Sequence, residues 1–286
     1  MLSALTRRAE AVARRAVELA PMPQPALVPT RYPVVLMHGF GALANILQSG
    51  VLHEEAMHLR ARGVWAYAPH VNPYDTIGVR AAAWADRLAR VLDETGADRV
   101  NLVAFSSAGL DARHLARDGW ADRIASLVTV STPHRGTALA DYVLDRPERL
   151  RVWALGVMDF LGRAAYESAP PHAEAAIAEL APAAVEARFP PDETIEGAWC
   201  ASFASHAGKG TDVPVYPPLV VPNRILHGLA GRNDGIVPTA SMGWGEPLGV
   251  LDADHARQVG LRMAPGAFDS CAFYADVCRR LRDRGL

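Results

Sequence analysis

Val100-Asn101-Leu102-Val103-Ala104-Phe105-Ser106-Ser107-Ala108-Gly109-Leu110-Asp111 is the stretch on which the reading of this chain turns. Residues 100–105 have the apolar, β-favouring composition of a buried strand, and an Ala/Arg-rich helical segment begins just past Ser106. Strand, sharp turn and helix in that order hold a serine at the carboxyl edge of a sheet, where the residues two places away on either side must be small. Ala104 and Ala108 meet that demand, so Ser106 is the candidate nucleophile. The same stretch also fits an ordinary serine capping a helix, and only the rest of the chain separates the two readings.

Upstream, residues 32–37 form a short apolar run that empties into His38-Gly39-Phe40-Gly41. A strand ending in such a turn leaves backbone N–H groups facing open space, which suits an oxyanion hole built from the Phe40 and Ser107 N–H groups. His38 is expected to tie the loop down rather than to act on a substrate. Residues 52–62 predict a helix closed by Gly63, residues 64–68 a strand, and residues 79–94 an amphipathic helix ended by Gly96. This cadence implies an α/β fold with a mostly parallel sheet flanked by helices, its ligand site off the carboxyl ends of the strands.

Downstream, residues 127–131 read as another buried strand, followed by Thr132-Pro133-His134-Arg135-Gly136-Thr137. The cadence breaks over residues 138–190, where residues 150–161 are apolar almost all round. That segment is expected to be a lid, with Trp153, Val157 and Phe160 as candidate substrate contacts, or else an additional core helix. A strand is predicted over residues 224–230, with Asp234 at its tip in the Asp234-Gly235 turn, and a closing helix over residues 268–284. A serine hydroxyl needs an imidazole to take its proton and a carboxylate to fix the imidazole's tautomer. His255 is the histidine that follows Asp234, giving the order Ser106, Asp234, His255. Asp252 and Asp254 compete for the acid role but stand too near His255 in sequence to reach around its ring easily.

Composition sets the outer bounds. The chain has 286 residues, half of them hydrophobic and 21% charged, which fits a globular domain with a sizeable core. A formal net charge of −2 leaves no footprint for nucleic acid, and Lys209 is the sole lysine among 29 basic residues. Cys200, Cys271 and Cys278 show neither metal-ligand spacing nor an obvious pairing. Apolar runs stay short of the ~20 residues that span a bilayer. Residues 1–30 read as an amphipathic helix and a proline-rich connector, packed on the chain's own domain or on a second copy, or else resting on a membrane surface; residues 31–286 read as one domain. Without a recognisable secretory signal the expected location is cytoplasmic, and the expected state is a monomer needing no cofactor.

Taken with residues 32–40, 131–137, 233–238 and 254–255, the Ser106 stretch resembles the bacterial triacylglycerol lipases of the α/β-hydrolase superfamily. The resemblance implies hydrolysis of apolar acyl esters through an acyl-enzyme on Ser106, with Asp234 and His255 as its partners and a mobile lid. Phe105, Ala104 and Ala108 depart from the histidine and glycines usual around the nucleophile, which motivates an alternative: an impaired hydrolase serving as a lipid-binding or interaction module. Many relatives also bind calcium beside the histidine loop, through a carboxylate two residues after the histidine. Arg257 stands at that position, so no metal is expected, and an Arg257–Asp212 ion pair is a candidate replacement.

Overall fold

The computed structural model describes residues 25–41, 50–147, 172–261 and 268–286. The N-terminal amphipathic helix and the apolar segment with Trp153, Val157 and Phe160 lie outside the described residues. In chain order the described elements are β1 (Val34–Met37), α1 (His53–Arg60), β2 (Ala66–Tyr67), α2 (Ile77–Thr95), β3 (Val100–Phe105), α3 (Ala108–Leu115), β4 (Ile124–Val130), α4 (Ala138–Leu144), α5 (Ala173–Ala178), α6 (Pro182–Arg188), β5 (Trp199–His206), α7 (Val220–Ala230), β6 (Glu246–Asp252) and α8 (Ser270–Asp283).

The strands form one sheet in the order β2-β1-β3-β4-β5-β6, and every neighbouring pair is parallel. Central strands covered on both faces are mostly apolar, and β1, β3 and β4 are buried at every position, with the polar Asn101 and Ser126 hydrogen-bonded to each other. Their alternating side chains feed two cores. Val34, Leu36, Val103, Phe105, Val128 and Val130 pack with α1 and α8; Val35, Met37, Val100, Leu102 and Ala104 pack with α2 and α3. Each such Val or Leu contributes roughly 1.5–3 kcal/mol of burial, an upper bound because the unfolded chain is itself partly collapsed. Helix α2 shows the matching stripe, with Ile77, Ala81, Trp84, Leu88 and Val91 inward, and it stops at Gly96, whose φ of 66° no β-carbon residue adopts readily.

One predicted strand is corrected. Residues 224–230 belong to α7, in which Asn223 and Leu226 are buried while Val221 and Leu229 are 65% and 53% exposed. That one-sided pattern at helical spacing suits a helix laid on the surface, not a strand inside the sheet. The strand preceding the Asp234 turn is β5, whose small and polar residues Ala201, Ser202, Ala204 and Ser205 give it a weak hydrophobic signal.

The chain leaves β1 toward β2 on one side and returns to β3 on the other. The crevice above the carboxyl ends of β1 and β3 is therefore a topological switch point, where ligands of such sheets bind. The loop at residues 38–41 and Ser106 both open onto it.

Candidate active site

Ser106 follows directly on β3, with φ of 58° in the left-handed region that L residues avoid. Its N–H donates to the Val130 carbonyl at 2.9 Å, so it is still in the ladder with β4, while its carbonyl accepts from the Gly109 N–H at 3.1 Å and the Thr132 hydroxyl at 2.7 Å. These bonds hold the strained turn from both sides. A β-carbon on Gly109 would sit 2.3 Å from Thr132 Oγ1, so the glycine that this elbow requires is Gly109, one place beyond Ala108. Ala104 and Ala108 are fully buried in the α2/α3 core, where their methyl groups find room.

Asp234 and His255 arrive from the other end of the sheet. The Asn233 side chain fixes the turn after α7: its Oδ1 accepts from the Asn223 amide and the Gly235 N–H, each at 2.8 Å. Asp234 Oδ1 accepts from the Ile236 and Val237 N–H groups, and its carbonyl takes the His255 N–H at 2.9 Å. His255 Nδ1 then lies 2.7 Å from Asp234 Oδ2, and its Nε2 lies 2.9 Å from Ser106 Oγ. All three side chains are buried. Burial by itself would raise the Asp234 carboxyl, but the His255 charge and the hydrogen bonds from His255, Val237 and Ile236 outweigh it and hold the carboxyl below its usual range. The Phe105 ring lies 4.5 Å from the His255 ring, centroid to centroid, so the residue before the serine forms one wall for the imidazole.

The rival carboxylates are engaged elsewhere. Asp252 pairs with His206 at 2.9 Å. Asp254 Oδ1 accepts from the Ala256 and Arg257 N–H groups, and Oδ2 from the Tyr216 N–H, which ties the histidine loop to residues 214–216. The expected Arg257–Asp212 ion pair is absent: Arg257 Nε lies 3.3 Å from Asp254, its Nη1 donates to the Pro214 carbonyl at 2.9 Å, and Asp212 is exposed. A buried carboxylate three residues away on the same turn reaches the guanidinium more cheaply than one across a loop. Among the described residues no group of three or more His, Cys, Asp or Glu side chains could hold a metal.

On the crevice side, the Phe40 N–H donates to Ser107 Oγ at 2.8 Å, an acceptor that backbone reasoning overlooked. Gly39 sits so close that a β-carbon there would meet Ser106 Cβ at 2.6 Å and the Ser107 nitrogen at 2.9 Å. The loop is anchored by two buried side chains. His38 accepts from the Val71 N–H at 3.3 Å, and burial followed by the nearby Arg80 charge lowers it to about 3, leaving a neutral ring. Arg80 on α2 spreads its fork over the Asp111 carboxylate at 2.9 Å, the Asn72 carbonyl at 2.9 Å and the His38 carbonyl at 2.6 Å. Sequence periodicity places Arg80 on the buried stripe of α2 but does not announce this role.

No family model matches the chain. A triacylglycerol lipase of Pseudarthrobacter phenanthrenivorans is 33% identical over 124 residues, 41% of this chain and 37% of that protein. One of Pseudomonas fragi is 31% identical over 114 residues, 40% of this chain and 39% of that protein. The matched stretch thus spans well under half the length of these relatives. Among solved structures, a metagenomic carboxyl esterase superposes with a TM-score of 0.71 at 18% identity, covering 92% of this chain and 79% of its own. Staphylococcus hyicus lipase superposes with a TM-score of 0.64 at 14% identity, covering 92% and 99%. Parallel sheet, strand-to-helix elbow and these superpositions give the chain the α/β-hydrolase fold, and over the matched stretch its sequence is similar to bacterial triacylglycerol lipases.

Proposed function

We propose that the protein is a serine carboxylic-ester hydrolase acting on apolar acyl esters. The observation that carries this reading is the buried line of hydrogen bonds from Asp234 through His255 to Ser106 Oγ. Ser106 Oγ attacks the ester carbonyl carbon as His255 Nε2 takes its proton, and Asp234 balances the imidazolium. The carbonyl oxygen becomes an oxyanion facing the Ser107 N–H, and the Phe40 N–H turns to it from Ser107 Oγ. His255 returns the proton to the departing alcohol. Water, deprotonated by the same imidazole, then releases the acid and regenerates Ser106.

The names of the sequence relatives and the apolar setting support an acyl substrate. Phe40 stacks edge-on to Tyr74, in a cluster with Ala140 of α4 and Ala173 and Ile177 of α5 that flanks the crevice. Among the described residues no helix is long and apolar enough to cross a membrane.

A panel of p-nitrophenyl esters from short to long acyl chains, with Ser106→Ala as control and a serine-reactive phosphonate as label, tests the reading. Hydrolysis with labelling at Ser106 is expected. Folded protein that takes no label, or a Ser106→Ala variant keeping about a tenth or more of the turnover, would overturn it.

A further inference from the structure

The Asp234 carboxylate is wholly buried, and its two oxygens are served from different elements. Oδ1 is held by the backbone of its own turn. Oδ2, the oxygen facing His255, also accepts from the Ser205 hydroxyl of β5 at 3.0 Å. Behind Ser205 stands Gln258, three residues beyond His255: its Nε2 lies 3.0 Å from Ser205 Oγ and 3.4 Å from Asp234 Oδ2. Its Oε1 lies 2.6 Å from the hydroxyl of Ser131, which follows β4. Ser131, Ser205 and Gln258 are all fully buried.

The orientation of this unit follows from its neighbours. Gln258 Nε2 faces Asp234 Oδ2, the Asp254 carbonyl at 3.3 Å and the Ala253 carbonyl at 3.5 Å. Turned over, the amide oxygen would face those three acceptors, so the nitrogen stays and the oxygen is left to the Ser131 hydroxyl, which also lies 2.6 Å from Ser205 Oγ. Ser131 is held for this contact in a left-handed conformation, with φ of 52°. Strain at a buried, non-glycine position persists where the surroundings over-determine it.

We propose that Gln258, acting through Ser205 and anchored by Ser131, is a positioning residue for the Asp234–His255 pair. It rests on the ester-hydrolase reading for its kinetic readout. Two effects follow. The donors on Oδ2 keep that oxygen in line with His255 Nδ1, and they draw off part of the carboxylate charge that would otherwise stabilise the imidazolium. Other charged groups near the pair are occupied with one another: Asp254 with Arg257, and His206 with Asp252. On the far side of the elbow Arg80 is paired with Asp111.

Gln258→Met keeps the length and removes the amide; Ser205→Ala removes the hydroxyl with little change in volume and serves where the first variant folds poorly. The measurements are kcat/KM against pH with a soluble short-chain ester, Ser106 labelling to count active sites, and NMR titration of the His255 ring. Both variants are expected to label fully, to lose roughly ten- to hundredfold in kcat with KM little changed, and to shift the acid limb upward by about half a pH unit or more. The double variant should lose less than the product of the two singles. A residue that merely fills space would lower stability without moving the limb. Fully labelled variants with an unmoved limb overturn the proposal, whatever their kcat. Should the wild-type protein hydrolyse no ester, the NMR midpoint of His255 still decides: an upward move in Gln258→Met supports the positioning role, and an unchanged midpoint overturns it.

Discussion

A β-carbon on Gly39 would stand 2.6 Å from Ser106 Cβ and 2.9 Å from the Ser107 nitrogen, in the space where a developing oxyanion would meet that N–H. Gly39→Ala is therefore expected to lower kcat by roughly a hundredfold or more, the cost of losing an oxyanion donor. Labelling rate by a phosphonate, whose tetrahedral adduct needs the same space, should fall in parallel. An unchanged labelling rate would place the oxyanion elsewhere. At this scale the sequence discloses residues that carry their own local signal. Ser106 follows an apolar run, Asp234 precedes a glycine, and Gly39 lies in a strand-end turn. Ser107 Oγ, Ser205 and Gln258 carry none, because their partners are 67, 29 and 53 residues away and polar pairing over such separations leaves no period to read. Gly109 lies within the Ser106 stretch, but its closeness to Thr132 Oγ1 leaves no local mark in the sequence.

Between elements, α2 and the loop after β1 are joined through one side chain. Arg80 lies on the buried stripe of α2 and binds the Asp111 carboxylate of α3 and the His38 carbonyl, so it fixes the loop relative to the elbow helix. Burial raises the Asp111 carboxyl to about 6 against the pull of Arg80, so desolvation is the larger effect on this pair. Arg80→Lys retains the charge and loses the planar fork that reaches three acceptors at once. A loss of about 2 kcal/mol or more in urea unfolding is expected, together with lower kcat as the loop loosens. Stability unchanged within about 0.5 kcal/mol would show the fork to be dispensable. The helices and strands flanking β3 were legible because both sheet faces are covered, which forces apolar strands and one-sided helices. β5 was missed and α7 read as a strand for a related reason: β5 carries small and polar residues toward the Asp234 network, while the apolar residues of α7 are partly exposed.

Across the molecule, strand–helix cadence sufficed to anticipate a sheet with its site at the carboxyl edge, whereas the strand order and the burial of individual histidines depend on packing that no local pattern records. That burial has a consequence for stability. Among the described histidines, His38, His70, His114 and His134 lie below the ordinary value of 6.5, in each case first through burial and then through neighbouring charges, with His38 reaching about 3. A group depressed on folding contributes stability above its unfolded pKa and loses it as pH falls toward the folded one, because the unfolded chain takes up protons that the native state refuses. Asp111 works in the opposite sense, since its carboxyl is raised on folding to about 6 and it binds a proton in the native state over the range where the unfolded carboxyl does not. Burial raises the Asp75 and Asp254 carboxyls as well, but the four histidines stand on the other side, so net stability should fall as pH drops through the unfolded histidine value of 6.5. Urea unfolding at pH 7.5 and 5.5 checks this: the midpoint should drop at the lower pH with the denaturant slope unchanged. His134, buried against Trp244 and bonded to Thr129 Oγ1 at 3.0 Å, lies apart from the hydrogen bonds of Ser106 and His255. Replacing it with asparagine should lower stability at pH 7.5 but flatten the pH dependence by one proton's share, and an equal slope in the two proteins would show that His134 titrates normally in the native state.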